Sequence, residues 1–453
     1  MSELPGTLTE LQAWLAQGAL SPAESLRIQR QRITSLGNLS NGFVDVFEDS
    51  LANHEVKKGV LSGIGLAHKD IFSLTNRNPG LGLGHGQINA SAQNASCIES
   101  LHQSGATHFG ALHMAPFACG ATSSNEYLGE CINPLNPGRV VGGSSSGSAV
   151  AVARELCFAS LGTDTAGSIR IPAASCGLMG LKTTAGLIDQ TGVSALAPAL
   201  DSVGLVARSA NDMETLLQQI NAQDTRRLPH STVCLKPAVD FERIRCWLPT
   251  HLLDSSVAEH MLEVSKSLQH VLVSEHFEEE GALSALAEVL LYQQVAQTHL
   301  GLLKDNSKER PCPDALGELV VLGECVPRQW AHQALSSRGV WLQRFIERYL
   351  SDHEMFMMPA IGIELPLVAE VSPKSPQFIP KKLLALHRFM GFVNYLGLPS
   401  LVLPIGRDAH GMPISVQVIC RPYQELSLLR WAKSFVGARF GTQCVGRLFA
   451  LID

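Results

Sequence analysis

The chain has no pair of cysteines at metal- or redox-motif spacing, no run of basic residues, and no apolar stretch long enough to span a bilayer. Its 11 cysteines lie scattered and single along 453 residues. An odd, dispersed set of this kind is not a disulfide framework, so a reducing, cytoplasmic setting is expected. HExxH, paired-cysteine and carboxylate-cluster spacings are all missing, and with them any expectation of a metal. A net charge of −6 without a Lys/Arg cluster argues against direct contact with nucleic acid, because phosphate binding draws on clustered cations. No apolar run reaches the roughly 20 residues of a spanning helix, so no membrane partner is expected. Met1-Ser2-Glu3-Leu4-Pro5 lacks the basic region and apolar core of a secretory signal. Repeats and low-complexity linkers are absent too, which favours one compact domain over 1–453. Charged residues make up 17% against 45% hydrophobic, the balance of a globular enzyme with a large core.

What is present concentrates between Gly142 and Lys182. Gly142-Gly143-Ser144-Ser145-Ser146-Gly147-Ser148 is followed by an Ala/Val run, then by Leu161-Gly162-Thr163-Asp164-Thr165-Ala166-Gly167-Ser168-Ile169-Arg170-Ile171-Pro172. Two serine-bearing glycine turns thus flank one apolar segment. Ser148–Ala153 reads as a short helix and Leu156–Leu161 as a buried strand, a return of the chain that would let Ser144 and Ser168 meet. A hydroxyl needs a base before it can attack at neutral pH, either a histidine or a lysine held uncharged. Glycine turns supply a second requirement, main-chain N–H groups aimed where negative charge develops in acyl transfer. Upstream, Ser62-Gly63-Ile64-Gly65-Leu66-Ala67-His68-Lys69-Asp70 is a strand-like apolar run that ends in a lysine. Lysine titrates near 10.4 in water, and burial lowers that value by disfavouring the ammonium.

Together these segments resemble the amidase signature family of Ser–Ser–Lys hydrolases. The resemblance continues through Cys176-Gly177-Leu178-Met179-Gly180-Leu181-Lys182-Thr183, Asp201-Ser202-Val203-Gly204 and Ala207-Arg208-Ser209. It returns at Asn394-Tyr395-Leu396-Gly397-Leu398-Pro399 and Gly411-Met412-Pro413-Ile414-Ser415-Val416-Gln417. It implies an α/β fold, a large mixed sheet covered by helices on both faces. It implies Ser168 as nucleophile, Lys69 as base, and Ser144, held by a cis peptide bond, as the proton relay between them. The N–H groups of Thr165, Ala166 and Gly167 would form the oxyanion hole, while Ser145, Asp164 and Arg170 would support the turns. No cofactor is implied. The family favours glycine where this chain has Ala166, which fits if that residue keeps negative φ. The family's lysine and glutamate downstream are replaced by Ala111 and Pro116, which detaches substrate preference from the resemblance.

A Ser–His–Asp triad is the mechanistic rival, with His68 and His113 nearest the motifs. Neighbours along a strand face opposite ways, so His68 should turn from Lys69's partners. Thr7 with Glu10, Ser21-Pro22-Ala23-Glu24 (stopping near Gly37), Ser209–Asp212 and Ser256 with Glu259 read as helix starts. Ser91–Ser104 and Glu425–Val436 also read as helical. Asn41–Glu48, Gly63–Lys69, Val271–Val273, Met355–Pro359 and Ser400–Pro404 read as strands, the last two ending at their prolines. The signature core is placed at 62–224, a variable, mainly helical region shaping the substrate entrance at 225–350, and the rest of the core at 351–453. The loop Gly80–Gly86 lacks a phosphate-loop ending and reads as a surface or site-lining loop. The expected activity is hydrolysis of a small-molecule carboxylic amide, with homodimerisation left open. The alternative is the glutaminase (A-type) subunit of a tRNA-dependent amidotransferase, acting with partner proteins.

Overall fold

Strands whose two faces are both covered draw mainly on apolar residues, and the strands at the centre of this protein do so, with Lys182, Ser400 and Gln417 among the buried polar exceptions. The structure is a computed structural model that describes residues 4–36, 39–47, 57–77, 79–84, 93–223, 235–305, 311–351 and 353–440. Eleven strands occur among these: β1 Phe43–Val46, β2 Gly65–Lys69, β3 Thr107–Leu112, β4 Ala159–Asp164, β5 Met179–Lys182, β6 Ser202–Ala207, β7 Arg243–Trp247, β8 Val271–Ser274, β9 Glu354–Pro359, β10 Ser400–Arg407 and β11 Pro413–Ile419. Eight form one sheet in the order β4-β6-β5-β10-β11-β9-β7-β8, and three form a second in the order β1-β3-β2. The large sheet is mixed: β4 to β9 pair antiparallel along it, while β9, β7 and β8 run parallel.

Alternation along the central strands separates two cores. Leu205, Leu401 and Leu403 join one cluster with Met213, Leu216 and Leu217 of the helix Ala210–Ala222 and Leu428 and Leu429 of the helix Glu425–Phe440. Val206 and Val402 point the other way, to Ala149 and Val150 of the helix Ser146–Ala153 and Ile171 and Ala173 of the helix Arg170–Ser175. Helices therefore cover both faces, as expected. The strands also approach closely: a Cβ on Gly204 would lie 2.1 Å from the Leu181 carbonyl oxygen.

Helix starts read from capping residues are largely found. Thr7 and Glu10 form a reciprocal capping box on Leu8–Ala16, and Ser209 Oγ accepts the Asp212 N–H. The second helix, Pro22–Leu36, ends where expected; Gly37 itself lies outside the described residues. The other boundaries need correction. The helix after Asp254 runs Ser255–Ser267, and Ser256 sits inside its first turn, where its hydroxyl bonds Glu364 instead of capping. The helix expected over Ser91–Ser104 is Ser96–Gln103, with 91 and 92 outside the described residues. The strand expected at Leu156–Leu161 begins only at Ala159, because Glu155 takes a positive φ of 55° and turns the chain first. β10 continues past Pro404 to Arg407; the register shift between Pro404 and Gly406 absorbs the missing proline N–H. The region 225–350 holds the helices Glu280–Asp305, Asp314–Cys325 and Arg328–Tyr349, but it also supplies β7, which Arg243 and Arg245 hid from a hydrophobicity reading.

Gly204→Ala tests the close packing of the sheet. It should lose about 3 kcal/mol or more of stability in urea unfolding, since a backbone carbonyl cannot move aside.

Candidate active site

Lys69, the last residue of β2, is 1% exposed. Its Nζ lies 2.7 Å from Ser144 Oγ and 2.8 Å from Thr163 Oγ1 on β4, donating to both. Burial pulls its pKa from the ordinary lysine value to about 7, against the opposing pull of Asp201 and Asp164. A substantial share of the molecules then carries an uncharged amine at neutral pH. Thr163 was missed in the sequence; its one signal was a hydroxyl in the strand that leads into the second serine turn.

The two serine turns do meet. Ser145 N–H donates to the Ser168 carbonyl at 3.1 Å, and Ser145 Oγ donates to the Thr163 carbonyl at 3.4 Å. The Gly143–Ser144 peptide bond is cis. Ser144 is wholly buried, while Ser168 lies at the edge with 9% exposure. The Ser168 hydroxyl has no hydrogen bond to Ser144 or to any other described residue. The chain thus brings Lys69 and Ser144 into direct contact and Ser168 alongside through its main chain.

The turn before Ser168 is clamped from below. Asp164 accepts N–H bonds from Gly167 at 2.9 Å and Ile169 at 3.2 Å, and meets Arg170 through Nε at 3.0 Å and Nη2 at 2.8 Å. Burial alone would raise the Asp164 carboxyl; the Arg170 guanidinium overrides this and holds it well below the usual carboxylate range. Arg170 also donates to Asn394 Oδ1 and Gln417 Oε1, each at 2.5 Å. Asn394 returns a bond to the Asp164 carbonyl at 2.8 Å. Two residues far along the chain therefore complete the clamp. Each was visible only as a single amide in an apolar run, the kind of buried polar residue that carries information. Thr165 Oγ1 is anchored to Asp201 Oδ1 at 2.6 Å.

One expectation is corrected here: the Gly167 N–H is not a free donor, because the Asp164 carboxylate holds it. No acceptor for the N–H groups of Ala166 or Ser168 is found among the described residues. Gly167 takes φ +110°, where a Cβ would also strike Met390 at 2.6 Å. Ala166 stays outside the positive-φ region, so its methyl carries no backbone strain.

The histidines stand elsewhere. His113 Nε2 meets the Gly129 carbonyl at 2.9 Å, and His68 Nδ1 accepts the Leu161 N–H of β4 at 2.9 Å. Neither approaches a serine hydroxyl. His68 does not turn wholly from Lys69's surroundings, as alternation predicted, but bonds the main chain of the same strand. Gly80–Gly84 is tied to Asp70 through the Gly80 N–H at 2.8 Å, and 85–86 lie outside the described residues. A cavity of about 240 Å³ opens on Thr165 and Ala166, walled by Leu200, Tyr292 and Leu384, with Glu280, Glu288 and Arg388 as its charges. None of Gly80–Gly84 lines it. Among the described residues, no three His, Cys, Asp or Glu side chains could jointly hold a metal, and no helix is long and apolar enough to cross a membrane.

The sequence pattern of the family described as Amidase matches residues 47–429. The chain is 31% identical over 381 residues to the A-type subunit of the glutamyl-tRNA(Gln) amidotransferase from Lachnoclostridium phytofermentans, covering 75% of this chain and 76% of that one. Among solved structures, a crystal structure described as an amidase superposes with a TM-score of 0.81 at 23% identity, covering 96% of this chain and 99% of the other. A 6-aminohexanoate cyclic dimer hydrolase complexed with substrate gives 0.81 at 22% identity, over 96% and 97%.

Arg170→Leu measures the clamp. It strands a buried carboxylate, and the loss should be about 3–5 kcal/mol in chemical denaturation.

Proposed function

This chain belongs to the Amidase family, and from that premise we propose that it hydrolyses a carboxylic amide through an acyl-enzyme on Ser168. The observation that carries the reading is a buried lysine amine, brought to about 7, at 2.7 Å from Ser144 Oγ. In its uncharged form Lys69 accepts the Ser144 proton while Ser144 accepts that of Ser168. The Ser168 hydroxyl, bound to no other described group, turns toward Ser144 for this step. Its oxygen attacks the amide carbonyl, and the oxyanion meets the main-chain N–H groups at Ala166 and Ser168. Donors fixed in advance need no reorganisation when charge appears, and each is worth about 3 kcal/mol. The C–N bond breaks as the amine takes a proton back through Ser144. Water, deprotonated by the same relay, then releases the acid.

The second reading, the glutaminase subunit of a tRNA-dependent amidotransferase, uses the same C–N cleavage. The glutamyl-tRNA(Gln) amidotransferase relative favours it, at 31% identity. The charges of the cavity are compatible with either reading. Glu280, Glu288 and Arg388 line it, with Arg388 4.0 Å from Glu280. Glutamine brings an ammonium and a carboxylate together, so this mixed lining admits an amino-acid amide as well as a neutral one.

An ammonia-release screen of diverse amides on the purified chain tests the proposal. Ser168→Ala should reduce turnover about a thousandfold or more; turnover comparable to the parent would sink the nucleophile assignment. Glutamine hydrolysis that appears only with partner subunits would establish the second reading.

The pH profile follows from Lys69. Only the deprotonated amine acts, so kcat/KM should level above a midpoint near 7 and fall about tenfold per unit below it. A flat profile from about pH 5 to 9 would exclude Lys69 as the base.

A further inference from the structure

We infer that His68 is a positioning residue for Lys69: its ring ties β2 to β4 and so keeps the lysine amine dry against Ser144 and Thr163. The inference rests on the reading of Lys69 as base. β2 belongs to the three-stranded sheet and β4 is the end strand of the eight-stranded one, so no ladder of main-chain hydrogen bonds joins them. Side chains make the join instead. His68 Nδ1 accepts the Leu161 N–H at 2.9 Å, and the next residue, Lys69, reaches Thr163 Oγ1 at 2.8 Å. Two consecutive residues of one strand thus grip positions two apart on the other, and the first grip fixes how the second approaches.

The ring is otherwise unfavourable where it stands. It is 5% exposed, and Nε2 finds no partner among the described residues. An apolar residue of that volume would bury without an unmatched polar atom. What the imidazole supplies is the acceptor for the Leu161 N–H. With that acceptor occupied, the neutral ring carries its proton on Nε2. Burial and the neighbouring His108 ring of β3, with ring centres 4.8 Å apart, keep it uncharged, so it does not titrate away from its partner. The groups facing Lys69 are Ser144, Thr163 and, farther off, Asp201 and Asp164. Loss of the His68 contact would let β2 lift and water reach Nζ, which raises the lysine pKa by relieving desolvation.

Two substitutions separate this from a merely structural role. His68→Asn keeps an acceptor near the Nδ1 position; His68→Leu removes it at similar bulk. The readout is the reactivity of Lys69 toward acetic anhydride as a function of pH, followed by mass spectrometry, which titrates the amine without turnover. A parallel rate of fluorophosphonate labelling at Ser168 reports base function. His68→Leu should raise the Lys69 midpoint by about one unit and slow labelling about fivefold at neutral pH, and His68→Asn should restore both. If His68→Leu does not fold, His68→Gln, whose acceptor lies one carbon farther out, replaces it with the same expected shift. An unmoved Lys69 midpoint overturns the inference, as does an equal shift in His68→Asn. A shifted midpoint with unchanged labelling upholds His68's part and instead defeats the reading of Lys69 as base.

Discussion

A lysine amine gives up its proton near neutral pH only where water is kept from its ammonium, and that exclusion shapes the surroundings of Lys69. Lys69 ends a short strand of the minor sheet and projects against β4, with Ser144 and Thr163 as its direct partners. Both partners are hydroxyls, which can donate to an uncharged amine as well as accept from a charged one. Carboxylates that would draw the pKa up are held back: Asp164 is engaged by Arg170, and Asp201 by Thr165 and the N–H groups of Leu196 and Ala197. The desolvation that lowers the amine thus prevails because neighbouring negative charge is already engaged.

The same containment of charge runs beneath the serine turn. Arg170 is wholly buried, and its guanidinium reaches Asp164, Asn394 and Gln417. Lys182 lies nearby, also brought to about 7 by burial with Arg170 beside it, and donates to the carbonyls of Thr183 and Leu398. A buried ion pair of this sort adds little net stability when formed, yet removing one partner is strongly destabilising. With Asn394 and Gln417 it joins segments from the signature core and from the last quarter of the chain, so the serine turn is complete only when distant parts of the sequence have come together.

Much of the architecture was legible in the chain itself. The capping box at Thr7 and Glu10, the cap at Ser209 and the apolar face Met213–Ile220 each declare a helix by local chemistry. Lys69, Ser144 and Ser168 were named from glycine-serine turns and a strand-end lysine, together with a family resemblance. What stayed hidden was non-local. β7 carries arginines because Arg243 and Arg245 both pair with Glu354 of β9, so its pattern reads as polar. Ser256 has a capping residue's identity, yet the carboxylate of Glu364, far along the chain, takes its hydroxyl. Asn394 and Gln417 matter through Arg170, which no spacing along the chain reveals. The commitment of the Gly167 N–H to Asp164 belongs to the same class: motif position named the donor, and tertiary contact had already claimed it.

The seam between the two sheets has one more effect. β4 ends the eight-stranded sheet, and an open strand edge is a template for pairing with another molecule. Here His68 takes the Leu161 N–H and Ser145 Oγ donates to the Thr163 carbonyl, so side chains occupy that edge without extending the ladder. Side chains of neighbouring segments thereby stand where a strand of another copy would otherwise pair along β4.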